Sequence, residues 1–470
     1  MRGSHTFDVS ESPALRRLEQ FVRDVRSHRV GTLGDFADFE LAVRAQLMEL
    51  GREIVAAELA RYDLTVPEIV VAGVTYRRAL RSRQTYMSAC GPVSMERQLY
   101  CPRGGRGRAI CPLEERVGMV GGFWTPRAAY EAAALVSEVT PGEVEGLLRE
   151  LTGMTPSKTS LDRLQKTLSA VWEDRREILE ANLRASETIP EEATMVAVSL
   201  DGVLAPMRYG DRAAKRGQTG KQPKGPAGYR EVGCATVTFY DRAGERLSTL
   251  RWARMPEPKK ATLRCQIEEE VAAVFSARPD LRLIKLADGA ESNWEFLGQL
   301  HPVGTEVVDY FHACEHLKRA LDAAYGEHTM ESQAAFEKYR LILKKADRGV
   351  ERVIRMLTHL QTRAQGRAAI RRERGYFRRQ RHRMRYASYR RRHFPIASGV
   401  VEAACKTLVT QRLKRSGMSW LQAGGQAILT LRSLRQSDRW ERGWTMLAAA
   451  FKTTVYTTHK AGQLTVLQAA

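Results

Sequence analysis

The chain has 470 residues, 43% of them hydrophobic, enough to bury a large core over two to four domains. Lysine and arginine number 75 against 54 acidic residues, a formal charge of +21 that favours a polyanionic partner, nucleic acid before an acidic membrane. No run of about 18 apolar residues occurs and residues 1–20 contain no apolar leader core, so a membrane span and export are not expected and a cytoplasmic, nucleoid-associated protein is.

Residues 1–66 read as a helical region, with apolar positions such as Leu41, Ala45, Met48 and Val55 at helical spacing, a pattern suited to packing or self-association. Over 67–120 the β-branched and aromatic stretches EIVVAGVTYRRALRS and VSMERQLYC, with Gly91-Pro92 between them, predict a β-hairpin. Cys101 and Cys111 flank the loop PRGGRGRAI. A zinc ribbon needs close cysteine pairs, and Gly104 stands where the partner of Cys101 would sit, so a basic loop touching DNA phosphates is the favoured reading. Residues 121–190 read as consecutive helices. The stretch from Glu138 to Leu168 breaks at Gly153 and Pro156 like a helix-turn-helix, with 157–168 as the candidate DNA reader.

Residues 191–312 are rich in strands, in the order three strands, helix, strand, helix, strand. Two acidic residues end strands here: Asp201 the first and Asp288 the fourth. Residues 313–396 are helical and end in the stretch 371–394, which holds eleven arginines and one glutamate. A helix follows with Glu402 near its start, within the last segment, 397–470. GKQPKGPAG, residues 220–228, has the composition of a flexible loop.

Carboxylates at strand ends converge at one edge of a sheet, and a helix can deliver a third. Three packed carboxylates repel and require a cation. An all-oxygen ligand set favours Mg²⁺ or Mn²⁺. Two such ions about 3.5–4 Å apart activate an oxygen nucleophile and stabilise the leaving oxygen of a phosphodiester. Asp201, Asp288 and Glu402 are therefore the candidate metal ligands and catalytic carboxylates. His312 is placed near the scissile phosphate, as a donor or as a residue that orients a carboxylate.

The segments LDGV around Asp201, LADGAESNW around Asp288, VVDYFHACEHL around Asp309 and SGVVEAACKTLVTQRLKRSGMSW around Glu402 resemble the DDE transposases of bacterial insertion sequences, in particular the Kra-type group related to Mutator-like elements. The resemblance spans roughly residues 65–455 and is most specific around Glu402. It implies an α/β fold: an RNase H-like mixed sheet with a helical insertion, preceded by helical and β-hairpin DNA-binding elements. It also implies an Asp201–Asp288–Glu402 triad, with Asp309 and His312 matching a D-x-x-H signature and with Asp309 and His316 as supporting residues of the site. The upstream hairpin of such proteins often carries C-x-x-C, from which Gly104 departs. The activity implied is cleavage and strand transfer of double-stranded DNA at element ends and target, by a dimer or larger assembly.

H-A-C-E-H, from His312 to His316, also matches an inverted zinc-peptidase signature with Glu315 as base. That reading leaves the +21 charge and both strand-end aspartates without a role. The alternative in another class is a DNA-binding protein derived from a transposase whose carboxylates are relics. The DNA contacts expected are Arg378, Arg379, Arg381, Arg383, Arg385, Arg390, Arg391 and Arg392, continued by Lys406, Arg412, Lys414 and Arg415. Tyr376, Phe377, Tyr386, Tyr389 and Phe394 interleave with the arginines as candidate stacking surfaces for bases. Trp420, Leu421, Leu431, Trp440 and Trp444 read as residues that pack in the core or against a partner surface.

Overall fold

The computed structural model describes residues 12–27, 35–105, 107–208, 228–363, 366–458 and 464–466. The expected loop at 220–228 lies almost wholly outside them. The protein is mixed α/β and divides into two compact units, one of residues 1–179 with 441–470 and one of residues 180–440. Among the described residues no helix is long and apolar enough to cross a membrane.

The first unit begins with two helices, α1 (Pro13–Arg26) and α2 (Phe36–Tyr62). Ser12 caps α1 by accepting from Leu15 N, and Pro13 fits the first turn, where no amide partner is needed. A sheet follows with β1 (Glu68–Val71), β2 (Val74–Ser88) and β3 (Gly91–Pro102). Gly91 turns the hairpin at φ 109°, a conformation that favours glycine. Next come α3 (Pro112–Val117), α4 (Pro126–Glu138), α5 (Pro141–Leu151), α6 (Lys158–Asp174) and α7 (Arg176–Ala185), whose residues from Glu180 on belong to the second unit. A capping box between Thr140 and Glu143 starts α5. The predicted joint at Gly153 and Pro156 separates α5 from α6. Leu161, Leu164, Leu168 and Trp172 of α6 are buried.

The second unit holds β4 (Met195–Pro206), β5 (Tyr229–Tyr240), β6 (Arg246–Arg254), α8 (Ala261–Ala277), β7 (Arg282–Ala287), α9 (Glu291–Gln299) and β8 (Thr305–Val308). This is the predicted order of three strands, helix, strand, helix, strand. In space the sheet runs β6-β5-β4-β7-β8. The first three strands form an antiparallel meander, and β7 and β8 add in parallel to β4. Short helical crossovers dictate that parallel addition. A helical set follows: α10 (Tyr310–Tyr325), α11 (Met330–Lys345), α12 (Gly349–Arg363), α13 (Arg367–Gln380) and α14 (Tyr386–Arg391). Then come α15 (Gly399–Ala404), a π-helical turn over Cys405–Thr410, α16 (Gln411–Leu413) and α17 (Gln422–Gln436).

Two expectations need correction. Asp201 does not end its strand, because β4 continues to Pro206 in register with β5. What ends beside it is the parallel pairing with β7, whose last pair is Leu200 with Ala287. The segment 397–470 is divided: after α18 (Trp440–Ala449), β9 (Val455–Thr458) pairs with β1 and β10 (Leu464–Val466) pairs with β9, so residues 441–470 belong to the first unit. These strands are too short to announce themselves in the sequence.

Candidate metal centre

Strand register builds the site. Leu200 pairs with Ala287, and Ala287 with Val308, across three adjacent parallel strands. The residue that follows each of these is an aspartate: Asp201 within β4, and Asp288 and Asp309 just past the ends of β7 and β8. Parallel strands lie about 4.8 Å apart, so three carboxyl-bearing residues stand abreast at one sheet edge. Asp309 is held there by its backbone N–H, which donates to Ala287 O at 2.8 Å.

Asp309 is the most constrained of the three and is fully buried. It caps α10, where Oδ1 accepts from the backbone N–H of His312 at 2.7 Å and lies 3.3 Å from the ring Nδ1. Its Oδ2 accepts from the backbone N–H of Ser398. Burial pushes its carboxyl up, but the hydrogen bonds from His312 and Ser398 outweigh that and hold it below the usual carboxylate range. The same bond to Asp309 raises His312 to about 9, against the opposing effect of burial, so the ring is an imidazolium at neutral pH.

Glu402 sits in the first turn of α15, where the Ser398 hydroxyl donates to its Oε1 at 2.6 Å. One ligand atom each from Asp309, His312 and Glu402 lie within 4.8 Å of one another. Among the described residues this is the only group of three or more histidine, cysteine, aspartate or glutamate side chains so placed.

Asp288 Oδ1 accepts from Ala290 N and from Asn293 Nδ2, both at 3.1 Å, and its carbonyl accepts from Trp294 Nε1 at 2.7 Å. Asp201 Oδ1 accepts from Gly202 N at 2.7 Å, and the Cys405 thiol lies 3.6 Å from Oδ2. Burial raises the Asp201 carboxyl above its ordinary value. The Gly202 and Cys405 hydrogen bonds oppose that rise, and the charge of Asp288 adds to it. Cys234, the register partner of Asp201, hydrogen-bonds Cys405, which pushes the Cys405 thiol far up, with burial adding to the shift.

The structure therefore gathers the predicted residues around one edge but weights them differently. Glu402 and His312 join Asp309, expected only as a supporting residue, in the tight group; Asp201 and Asp288 stand beside it. The Asp309, His312 and Glu402 group could hold a metal ion. Carboxylate oxygens dominate, and positive charge would relieve the burial and repulsion that raise Asp201. His312 enters such a set only by losing its proton.

His316 is directed elsewhere. Its Nδ1 is 2.5 Å from Glu373 Oε2 and its ring stacks on Tyr376 with centroids 3.5 Å apart. Burial lowers its pKa, against the pull of Glu373. The two histidines of H-A-C-E-H thus do not share a ligand group. Cys101 is exposed, Cys111 is buried at the start of α3, and no metal-ligand group among the described residues contains either.

The arginine-rich stretch also divides. Arg378, Arg379, Arg381, Arg390, Arg391 and Arg392 are exposed, as are Lys406, Lys414 and Arg415. Arg385 pairs with Glu351 at 3.2 Å and Arg391 with Asp347 at 2.5 Å. Arg383 is half-buried, bonded to Glu306 at 2.6 Å and lying over the Trp294 ring, so it braces the sheet rather than facing solvent. Arg412 is buried beside Trp420 and is not available to DNA. Tyr376, Phe377, Tyr386, Tyr389 and Phe394 belong to the hydrophobic core, which removes them as base-stacking surfaces. The helices of this stretch turn one face inward, and the aromatic residues occupy it.

Sequence reasoning missed Ser398, Cys234, Cys405 and Asn293, and missed Glu373 and Tyr376 as the partners of His316. Only Ser398, four residues before Glu402 and so one helical turn away, left a readable signal. No protein-family model matches the chain, and no curated protein matches it.

Proposed function

We propose that the protein is a metal-dependent transposase of the insertion-sequence type, with an RNase H-like core that cleaves DNA at element ends and transfers the freed 3′ end to target DNA. The observation that carries this reading is the row Asp201, Asp288 and Asp309 at the ends of parallel pairing, faced by Glu402 and His312. The strand order β6-β5-β4-β7-β8, antiparallel then parallel, is the order such a core calls for. Exposed arginines on and beyond α13 supply the positive surface that a DNA backbone needs.

Bound Mg²⁺ or Mn²⁺ would supply Lewis-acid charge to the phosphodiester. Asp201, Asp288 and Glu402, together with Asp309, would hold it. The N–H groups of His312 and Ser398 and the Asn293 amide fix the orientation of these carboxylates. The His312 imidazolium, tied to Asp309, presents a cation to a phosphate oxygen next to the carboxylates. Two DNA ends must meet for strand transfer, so at least two copies act together.

The test is nicking of supercoiled plasmid with Mg²⁺ or Mn²⁺. The expected result is metal-dependent cleavage that falls about 10²–10³-fold in Asp288→Asn and Glu402→Gln. Equal cleavage by Asp288→Asn, or none by the parent protein under any divalent cation, overturns the reading.

A further inference from the structure

Tyr376 is held by the histidine that stands outside the metal-ligand group. His316 lays its ring on the tyrosine ring, 14° from parallel, while its Nδ1 meets Glu373. Glu373 and Tyr376 are three residues apart on α13, so both lie on one face of that helix. Phe377 meets the tyrosine ring edge-on, with centroids 5.7 Å apart. A stacked imidazole and an edge-on benzene ring together fix the direction of the phenol.

The phenol lies against the loop that carries Asp288. A Cβ added to Gly289 would stand 2.2 Å from Tyr376 Cε2, closer than any side chain tolerates, and 3.0 Å from the hydroxyl oxygen. Only glycine lets the ring close on the backbone next to Asp288. Gln380, one helical turn beyond Tyr376, donates from Nε2 to Gly289 O at 3.4 Å, so α13 holds this loop at two points.

Tyr376 is 6% exposed, and its hydroxyl oxygen is buried with no hydrogen-bond partner among the described residues. Other tyrosines of the same core do not share this state: Tyr310, Tyr386 and Tyr389 donate to Arg340 O, Val308 O and Glu306 O. An orphaned buried donor destabilises a fold, and phenylalanine would fill the same space without it. Burial raises the phenol well above its ordinary value and the charges of Asp288 and Asp309 add to the rise, so the O–H keeps its proton in the field of two carboxylates. Asp288 receives both of its side-chain hydrogen bonds on Oδ1, which leaves Oδ2 unengaged among the described residues.

We propose that Tyr376 is a positioning residue of the cation site, whose hydroxyl donates to the Asp288 carboxylate when that carboxylate turns to hold a divalent cation. This rests on the cation reading of the sheet edge and not on DNA cleavage. The hydroxyl stays unpaired until the carboxylate turns, so its bond adds to cation affinity and not to the stability of the cation-free chain.

Tyr376→Phe tests this, because it keeps the ring, the His316 stack and the contact with Gly289 and removes one oxygen. Mn²⁺ titration followed by electron paramagnetic resonance is expected to show affinity about tenfold weaker. Tm in EDTA is expected to equal or exceed that of the parent, since no bond is lost there. Mg²⁺ is expected to produce a tyrosine ultraviolet difference band in the parent that Tyr376→Phe lacks. Tyr389→Phe, which loses a hydroxyl already bonded to Glu306 O, is expected to do the reverse, lowering Tm in EDTA and leaving Mn²⁺ affinity unchanged. Unchanged affinity in Tyr376→Phe overturns the proposal. So does a lower Tm of that variant in EDTA, the same difference band in both proteins, or an equal loss of affinity in Tyr389→Phe. A parent protein that binds Mn²⁺ and cuts no DNA ends the transposase reading and leaves this inference standing, whereas a parent that binds no Mn²⁺ overturns both.

Discussion

Ser398 holds Glu402 by its side chain while its backbone holds Asp309. The hydroxyl donates to Glu402 Oε1 at 2.6 Å and the amide N–H donates to Asp309 Oδ2. One buried residue thus sets the spacing of two carboxylates brought from distant parts of the chain.

Ser398→Ala removes the hydroxyl bond and leaves the amide bond intact. Cation affinity is expected to fall about 10–100-fold with little change in fold. Mn²⁺ titration followed by electron paramagnetic resonance checks this, and unaltered affinity contradicts the positioning role.

The Asp309–His312 pair makes stability depend on pH in a defined sense. His312 is raised from its ordinary 6.5 to about 9, so its contribution is complete below about 6.5 and is lost as pH rises through about 9. Asp309 is lowered, so its contribution is present above the ordinary carboxylate value and is lost as pH falls through its depressed value. The Tm difference between the protein and His312→Gln is therefore expected to be largest near pH 5–6 and to shrink towards pH 10. A difference that is flat across this range contradicts the assignment.

Much of the second unit was legible because its β-branched runs alternate cleanly with helical segments, from TMVAVSLDG to GTEVVDYFH. Register was not legible. Nothing in the sequence says that Leu200, Ala287 and Val308 line up, and that alignment is what raises Asp309 from a supporting residue to a central one. Burial within the arginine-rich stretch was hidden for a related reason. Tyr376, Tyr386 and Arg412 sit among cations in the sequence, but helical periodicity turns them away from those cations into the interior.

Cys405 contacts Asp201 through a thiol that serine can replace as a donor. Cys405→Ser is expected to keep Mn²⁺ affinity within about threefold, and Cys405→Ala to lower it by about tenfold, the lower end of what losing an outer hydrogen bond costs. Equal behaviour of the two variants contradicts a role for the hydrogen bond.

Arg439 is buried in the second unit between Glu270 and Glu187, bonded to them at 2.5 and 2.7 Å. Arg439→Met leaves Glu270 as an uncompensated buried charge and is expected to cost about 3–5 kcal/mol in urea unfolding. Adding Glu270→Leu to that variant is expected to restore part of the loss. A single variant as stable as the parent contradicts the burial of this pair.

The pairing of β9 with β1 has a consequence for synthesis. Residues 69–71 wait for partners at 455–457, so translation must pass through the whole of the second unit before the first sheet can be completed. A nascent chain halted anywhere in between carries β1 with one edge bare, and completion of the sheet reports that the whole intervening segment has already been made.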